Sequence, residues 1–229
     1  MQHSISLAVL DISGTTVKDK GEITEAFANT FKKEGHTIPV EKIAAVMGYK
    51  KTDAIKTLLE AFAEDKSVIN ENYINRLHQN FIDDLIDYYK NSGKLEAMPY
   101  AEDTFELLRK HDIKIGLDTG FFSNITHVII EQLGWLKNGL VDYVISSDEA
   151  EAGRPYPYMI RELMKRAGVT DPKKVIKAGD TEVDIKEGRN AACLLTIAVT
   201  TGKSYTREQL QLYKPDYIID SLKELPSLL

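Results

Sequence analysis

The chain of 229 residues reads as an α/β protein, a doubly wound parallel sheet carrying a small helical domain inserted after its first strand. Three observations lead there. An apolar run, Ser6 to Leu10, stops at Asp11 and turns on Gly14, which is a buried strand emptying into a tight loop. From Glu22 to about Lys90 only helical spacing is found. From Pro99 onward helical and strand patterns alternate, the arrangement that builds a parallel sheet with right-handed crossovers and helices on both faces.

The elements follow in order. After a polar connection from Val17 to Gly21, Ile23, Phe27, Thr30 and Phe31 fall at helical spacing. Ile43, Ala44 and Met47 begin a second apolar set behind Pro39, and Ile55, Leu58, Leu59 and Phe62 form a third. Tyr73, Leu77, Phe81, Leu85 and Tyr88 form a fourth, long one that ends near Gly93. Residues 18–94 are therefore the inserted domain, and residues 1–17 with 95–229 the core. In the core, helices are expected at Ala101 to Lys110, Asn124 to Leu133, Tyr156 to Ala167, Asp184 to Ala191 and Arg207 to Leu212. Strands are expected at Ile113 to Asp118, Val141 to Ser146, Val175 to Gly179, Leu195 to Val199 and Tyr217 to Ile219.

Composition narrows the function classes. A content of 43% hydrophobic and 28% charged residues suits a soluble globular protein. A net charge of −6 and the lack of a basic stripe tell against nucleic acid as the partner. The lone Cys193 lies in an apolar run and reads as packing, as expected in a reducing cytoplasm. No stretch approaches the ~20 apolar residues that span a bilayer, and no leader pattern opens the chain, so a cytoplasmic location and no membrane partner are expected.

In an open α/β sheet the loops after the strands share one edge, where ligands bind. The polar residues at those strand ends are Asp11, Ser13, Thr119, Arg154, Asp180 and Asp184. Taken alone, Asp11 reads either as the centre of the chemistry or as a cap on the strand-to-loop turn. Together the set is what phosphoryl transfer needs. The Asp11 and Asp180 carboxylates can hold Mg²⁺, and one carboxylate can attack phosphorus and form an acyl phosphate. Thr119 and Arg154 can bind the equatorial oxygens where charge is stabilised.

Over nearly its whole length the chain resembles the haloacid dehalogenase superfamily, and within it the phosphonatase branch. Asp-Ile-Ser-Gly-Thr from Asp11 is similar to the first motif of that superfamily, Thr119 before Gly120 to the second, Ala-Gly-Arg-Pro-Tyr-Pro-Tyr-Met from Ala152 to the third, and Gly-Asp-Thr-Glu-Val-Asp-Ile-Lys-Glu-Gly from Gly179 to the fourth. The inserted domain matches the superfamily's small cap. The resemblance implies that Asp11 is the nucleophile, that Asp11, the carbonyl of Ser13 and Asp180 bind Mg²⁺, and that Asp184 supports the metal. Phosphatases of this superfamily carry an acid where this chain has Ser13, and a serine hydroxyl is a poor general acid. The phosphonatase branch has a small residue there and uses a cap lysine that forms a Schiff base with an aldehyde.

Met-Gly-Tyr-Lys-Lys from Met47 resembles the segment bearing that lysine and selects Lys51, with Lys50 beside it. A neighbouring cation and a helix N-terminus near Thr52 would both favour the free amine. Two solvated lysines on a cap surface is the other reading of the pair. Gly48, Gly120 and Tyr156 complete the expected substrate-binding set with Ser13, although Tyr156 and Tyr158 also suit a packing role at a helix start. Two positions depart from the phosphonatase pattern: Ala54 stands in place of a histidine, and Phe121 in place of a tyrosine. His78 and His127 lie within helical patterns and read as surface or packing, as Trp135, Tyr88 and Tyr89 do.

The expected function is that of a Mg²⁺-dependent hydrolase working through an aspartyl phosphate on a small phosphonate or phosphorylated metabolite, phosphonoacetaldehyde being the compound suggested by the resemblance. A phosphomonoesterase, in which Lys51 binds an anionic substrate, and a catalytically silent binding protein are the alternatives. Hinge motion of the cap is expected at Val17 to Gly21 and Gly93 to Pro99. A homodimer is allowed by the sequence and not specified by it.

Overall fold

The computed structural model describes residues 5–91 and 95–229. Six strands, β1 (Leu7–Asp11), β2 (Lys114–Thr119), β3 (Tyr143–Ser146), β4 (Val175–Gly179), β5 (Leu195–Val199) and β6 (Tyr217–Ile219), form one sheet in the order β3-β2-β1-β4-β5-β6, and every pairing is parallel. The strand order reverses beside β1. That switch point opens a crevice beyond the carboxyl ends of β1, β2 and β4, so Asp11 stands in its centre.

The described residues between β1 and the return crossing at Ala97 hold four α-helices, α1 (Glu22–Lys33), α2 (Val40–Ala44), α3 (Lys51–Phe62) and α4 (Glu71–Asn91), and no strand. α5 (Ala101–Lys110) then leads back to β2. The remaining helices, α6 (Ser123–Leu133), α7 (Tyr158–Ala167), α8 (Glu182–Asn190) and α9 (Arg207–Leu212), alternate with the strands. The expected insertion and alternation are therefore present. Where limits differ, local chemistry explains it. α7 begins at Tyr158 rather than Tyr156, since Pro157 disfavours helical backbone at the residue before it. α8 begins at Glu182 because Thr181 and Asp184 form a capping box. β3 begins at Tyr143, since the Asp142 carboxylate takes the N–H of Ile115 at 2.8 Å.

The two chain crossings between sheet and helical insert pair with each other. Val17 bridges Ala97 in antiparallel fashion, the Lys18 N–H donates to the Glu96 carbonyl at 2.9 Å, and the Met98 N–H donates to the Thr16 carbonyl at 2.8 Å. Lys18 and Lys20 both reach the Glu96 carboxylate at 2.7 Å. The expected hinge at Val17 to Gly21 is thus one strand of a short ribbon, which turns into α1 at Gly21 with φ of 102°. Gly93, named for the second hinge, lies outside the described residues.

One aromatic seam joins the insert to the sheet. Phe27 packs edge-on against Phe31 and Phe81, at 5.4 and 5.0 Å between centroids, and Phe81 stacks at 6.4 Å on Phe121 in the loop after β2. All four are buried, and each such ring contributes about 1.5–3 kcal/mol by leaving water. The helical layer is thereby held over the crevice. Trp135 is buried edge-on to Phe105 and donates its N–H to Glu102, and Cys193 is buried in a second apolar cluster, both packing roles as expected. No described helix is long and apolar enough to cross a membrane.

Candidate active site

Asp11 ends β1 fully inside the protein, and its carboxylate accepts from Arg154 at 2.6 Å. The loop that follows is shaped by Thr16, whose hydroxyl donates to the Asp11 carbonyl at 2.8 Å, and by Gly14 at φ of 86°. Gly14 and Gly202 both crowd Asp180, so a side chain at either would collide with that carboxylate. Asp180 follows β4 and accepts from the Thr15 hydroxyl at 3.1 Å. Asp184 is fixed by the start of α8: one carboxylate oxygen caps Thr181, with the hydroxyl at 2.5 Å and the N–H at 3.1 Å, which turns the other toward the sheet. Oxygens of Asp11, Asp180 and Asp184 lie within 4.8 Å of one another, all buried.

Arg154 was expected to face a phosphate. Its guanidinium instead lies behind Asp11, 2% exposed, and spends its donors on carboxylates: Asp11 at 2.6 Å, Asp118 at 2.5 Å, Asp184 at 3.0 Å and Glu187 at 3.2 Å. The fork geometry of arginine suits such multiple pairing. Lys177, in the middle of β4, reaches the same acids, Asp184 at 3.1 Å, Glu187 at 3.2 Å and also Asp118. Asp118, Lys177 and Glu187 were not singled out from the sequence. The signal was there: Asp118 and Lys177 are charges inside strands of an all-parallel sheet, whose interior is ordinarily apolar, and Glu187 lies one helical turn beyond Asp184.

Burial raises the Asp11 carboxyl to about 6, against the opposing pull of Arg154 and with a further push from Asp184. Asp180 is driven well above the usual carboxylate range by burial, then by Asp11 and Asp184. Burial would raise Asp118 too, but Arg154 and Lys177 hold it at about 2. Five buried carboxylates, Asp11, Asp118, Asp180, Asp184 and Glu187, thus face the paired cations Arg154 and Lys177, with Lys51 across the cavity from Asp11. Asp118 and Glu187 have Lys177 as a counterion, whereas no cationic side chain among the described residues forms an ion pair with Asp180. The three acids nearest the crevice fit a divalent metal that supplies the missing positive charge.

Between this edge and the helical layer lies a cavity of about 30 Å³. Asp11, Ser13, Thr119, Gly120 and Phe121 line it from the sheet side, Met47, Gly48 and Lys51 from the insert, and Asp19 from the crossing ribbon. It holds roughly two waters, less than the volume of a phosphorylated compound. Two glycines permit this close fit. A side chain at Gly120 would meet the Tyr49 carbonyl at 2.5 Å, and one at Gly48 the Thr181 hydroxyl at 2.5 Å. The Tyr49 hydroxyl donates to Glu182 at 2.8 Å across the same seam.

Lys51 is the first residue of α3, only 3% exposed, with its amine 3.9 Å from the Met47 sulfur and 5.3 Å from the centre of the Phe121 ring. Burial pulls its pKa down to about 8, helped by Arg154 and opposed by Asp11 and Asp19. The lowering comes from burial rather than from Lys50, whose amine lies over Phe122 at 5.7 Å. Thr119 is buried at the end of β2, and its hydroxyl accepts from the Phe121 N–H at 3.2 Å. Tyr156 is not brought to the cavity. It is 56% exposed before α7, its ring stacked on Tyr158 at 6.2 Å. His78 is buried on α4 against Phe122, with its Nε2 unpartnered, and burial lowers its pKa to about 4.

Known proteins share this chain's sequence and fold. It is 29% identical to the phosphonoacetaldehyde hydrolase of Bacteroides fragilis over 98% of its length and 95% of that relative's. It is 31% identical to the bifunctional phosphonoacetaldehyde hydrolase/aminoethylphosphonate transaminase of Clostridioides difficile over 91% of its length, and spans 34% of that larger protein. The crystal structure of a phosphonoacetaldehyde hydrolase-like protein from Oleispira antarctica has the same fold, with a TM-score of 0.81, 22% identity and coverage of 98% of this chain and 91% of that one. The model of the haloacid dehalogenase-like hydrolases matches residues 5–192, which takes in the helical insert and all four strand-end loops. On that match the chain is a hydrolase and belongs to the haloacid dehalogenase-like family.

Proposed function

We propose that the protein cleaves the carbon–phosphorus bond of a small phosphonate aldehyde, phosphonoacetaldehyde, using an imine on Lys51, an aspartyl phosphate on Asp11 and Mg²⁺. The observation that carries this reading is Lys51, a buried amine with a pKa near 8 that shares one small cavity with the Asp11 carboxylate. The phosphonoacetaldehyde hydrolases among its relatives point to the same substrate.

Lys51 attacks the aldehyde carbon as the free amine, and loss of water gives a protonated imine. An Asp11 oxygen then attacks phosphorus, opposite the carbon that leaves. The electron pair of the breaking bond moves toward the imine nitrogen and yields an enamine. Protonation of that carbon and hydrolysis release acetaldehyde and restore Lys51, while water attacks the aspartyl phosphate, releases phosphate and restores Asp11. Thr119, at the strand end beside Asp11, binds phosphate oxygens, and Arg154 orients Asp11 from behind. Asp11 and Asp180 would hold Mg²⁺ with Asp184 in support, together with the Ser13 carbonyl that the family resemblance implies, and the metal would supply charge that offsets the phosphonate oxygens. Ser13, two positions after the nucleophile, is itself no acid for a leaving alcohol.

The test is reductive trapping. Incubated with Mg²⁺ and phosphonoacetaldehyde, then treated with borohydride, the protein should gain a mass adduct on Lys51 and release phosphate. The Lys51→Arg variant should lose both, since a guanidinium keeps the charge but forms no imine. Turnover of an aryl phosphate with neither adduct nor phosphonate cleavage would instead make the protein a phosphomonoesterase.

A further inference from the structure

The cavity holds one carboxyl besides the nucleophile, and it comes from the crossing ribbon. Asp19 lines the same space as Asp11, Ser13 and Lys51. One of its oxygens, Oδ1, accepts the Gly21 N–H at 2.7 Å, which fixes the carboxyl at the turn into α1. The other groups on the wall are poor proton donors to a developing carbanion. Ser13, Thr119, Thr181 and Ser204 offer hydroxyls, Lys51 is consumed as the imine nitrogen, and His78 does not line the cavity.

We infer that Asp19 is the acid–base catalyst of this cavity, protonating the carbon that leaves phosphorus and taking the place of the acid absent at Ser13. The assignment rests on the imine reading above. The step balances: as Asp11 bonds to phosphorus, the carbon–phosphorus pair becomes the enamine double bond. The enamine carbon then takes a proton from the Asp19 carboxyl, regenerating the imine and leaving a carboxylate. That carboxylate recovers its proton from the water that attacks the aspartyl phosphate.

Glu22 adjoins Asp19 and is the source of the proton that Asp19 hands on. Glu22 on α1 is held by the Lys20 N–H at 2.7 Å, with the Tyr89 hydroxyl of α4 at 3.5 Å, and it shares a hydrogen bond with Asp19. Burial raises Glu22, and the like charge of Asp19 raises it further. The proton of the pair therefore sits on Glu22, from which it passes along the shared hydrogen bond to Asp19 and on to the carbon. The cationic side chain that faces Asp19 across the cavity is Lys51, and conversion to the imine leaves that nitrogen charged and close to the carbon to be protonated.

The experiment compares wild type, Asp19→Asn and Asp19→Glu, measuring phosphate release with phosphonoacetaldehyde and Mg²⁺ and, separately, the fraction of Lys51 trapped by borohydride with acetaldehyde, whose imine forms without cleavage of a carbon–phosphorus bond. Asparagine keeps an acceptor for Gly21, so the ribbon and imine formation should persist. The expected result is a trapped fraction at least equal to wild type, a kcat lower by about 10²-fold and a KM within about threefold, with Glu restoring at least tenfold over Asn. Wild-type kcat in Asp19→Asn, with trapping intact, overturns the assignment and leaves the imine reading standing. Loss of trapping together with turnover overturns it too, and makes Asp19 a structural hinge residue. No adduct in the wild type ends the imine reading itself, and this inference with it.

Discussion

A lysine serves as an amine nucleophile only in the fraction that is unprotonated. Exposed, Lys51 would be free amine in less than about one molecule in a thousand at pH 7. Burial under the Phe27, Phe81 and Phe121 seam moves its pKa to about 8, which raises that fraction to about a tenth. In the imine mechanism kcat/KM should therefore rise about tenfold per pH unit below pH 8 and level off above it. Met47→Asp, which sets a carboxylate beside the amine, should move that limb upward. A profile flat between pH 6 and 9 would tell against a reacting amine. Asp11 and Thr119 stood out in the sequence because each closes a strand, whereas Lys51 stood out only through the resemblance of the Met47 to Lys51 segment to that of the phosphonatases. Asp118, Lys177 and Glu187 did not, since their pairing depends on the register that sets Val9 between Gly116 and Lys177. A buried lysine in a strand announces only that a partner exists.

The elements meet where a loop of the helical layer, Met47 to Lys50, lies on the loop after β2. This contact closes the cavity, and the absence of a side chain at Gly120 allows it. Gly120→Ala sets a methyl group 2.5 Å from the Tyr49 carbonyl and 2.7 Å from that of Gly48, both backbone atoms that cannot yield alone. The layer must then ride higher, drawing Lys51 away from Asp11. A misplacement of about 1 Å can cost on the order of 10²-fold in rate, so phosphonate turnover should fall by that order. The Tm should fall by only a few degrees, because the sheet and the packing within the helical layer are untouched and only the contact of Phe81 with Phe121 is loosened. A fully active Gly120→Ala would show that closure to this contact is not required. The alternation of elements and the site of insertion were legible from hydrophobic period alone, as β4, β5, β6, α5 and α9 attest. The docking of two loops distant in sequence was not. For that reason Asp19 looked like part of a linker, Tyr156 looked close to the site, and Arg154 looked free to meet a ligand.

Across the whole molecule, the excess of buried negative charge at the switch point couples stability to both pH and metal. Asp11 has a folded pKa raised by burial to about 6 from an ordinary 3.8, and Asp180 is raised further. An acid raised by folding binds more protons in the native state than in the unfolded one. Its contribution is complete below pH 3.8 and is lost as the pH climbs through about 6. In the presence of a chelator the Tm should therefore decline between pH 4 and 7. A divalent cation among Asp11, Asp180 and Asp184 favours the charged carboxylates and reverses that sign, because binding now requires the protons to leave. At 100 times its dissociation constant a ligand of the native state adds about 2.7 kcal/mol, which for a chain of this size corresponds to roughly 5–10 °C. Mg²⁺ should thus raise the Tm by that amount at pH 7.5 and by far less at pH 5, where Asp11 and Asp180 hold protons. Equal shifts at both pH values, or none at either, would remove the metal from this cluster and leave Arg154 as the cation that holds the nucleophile.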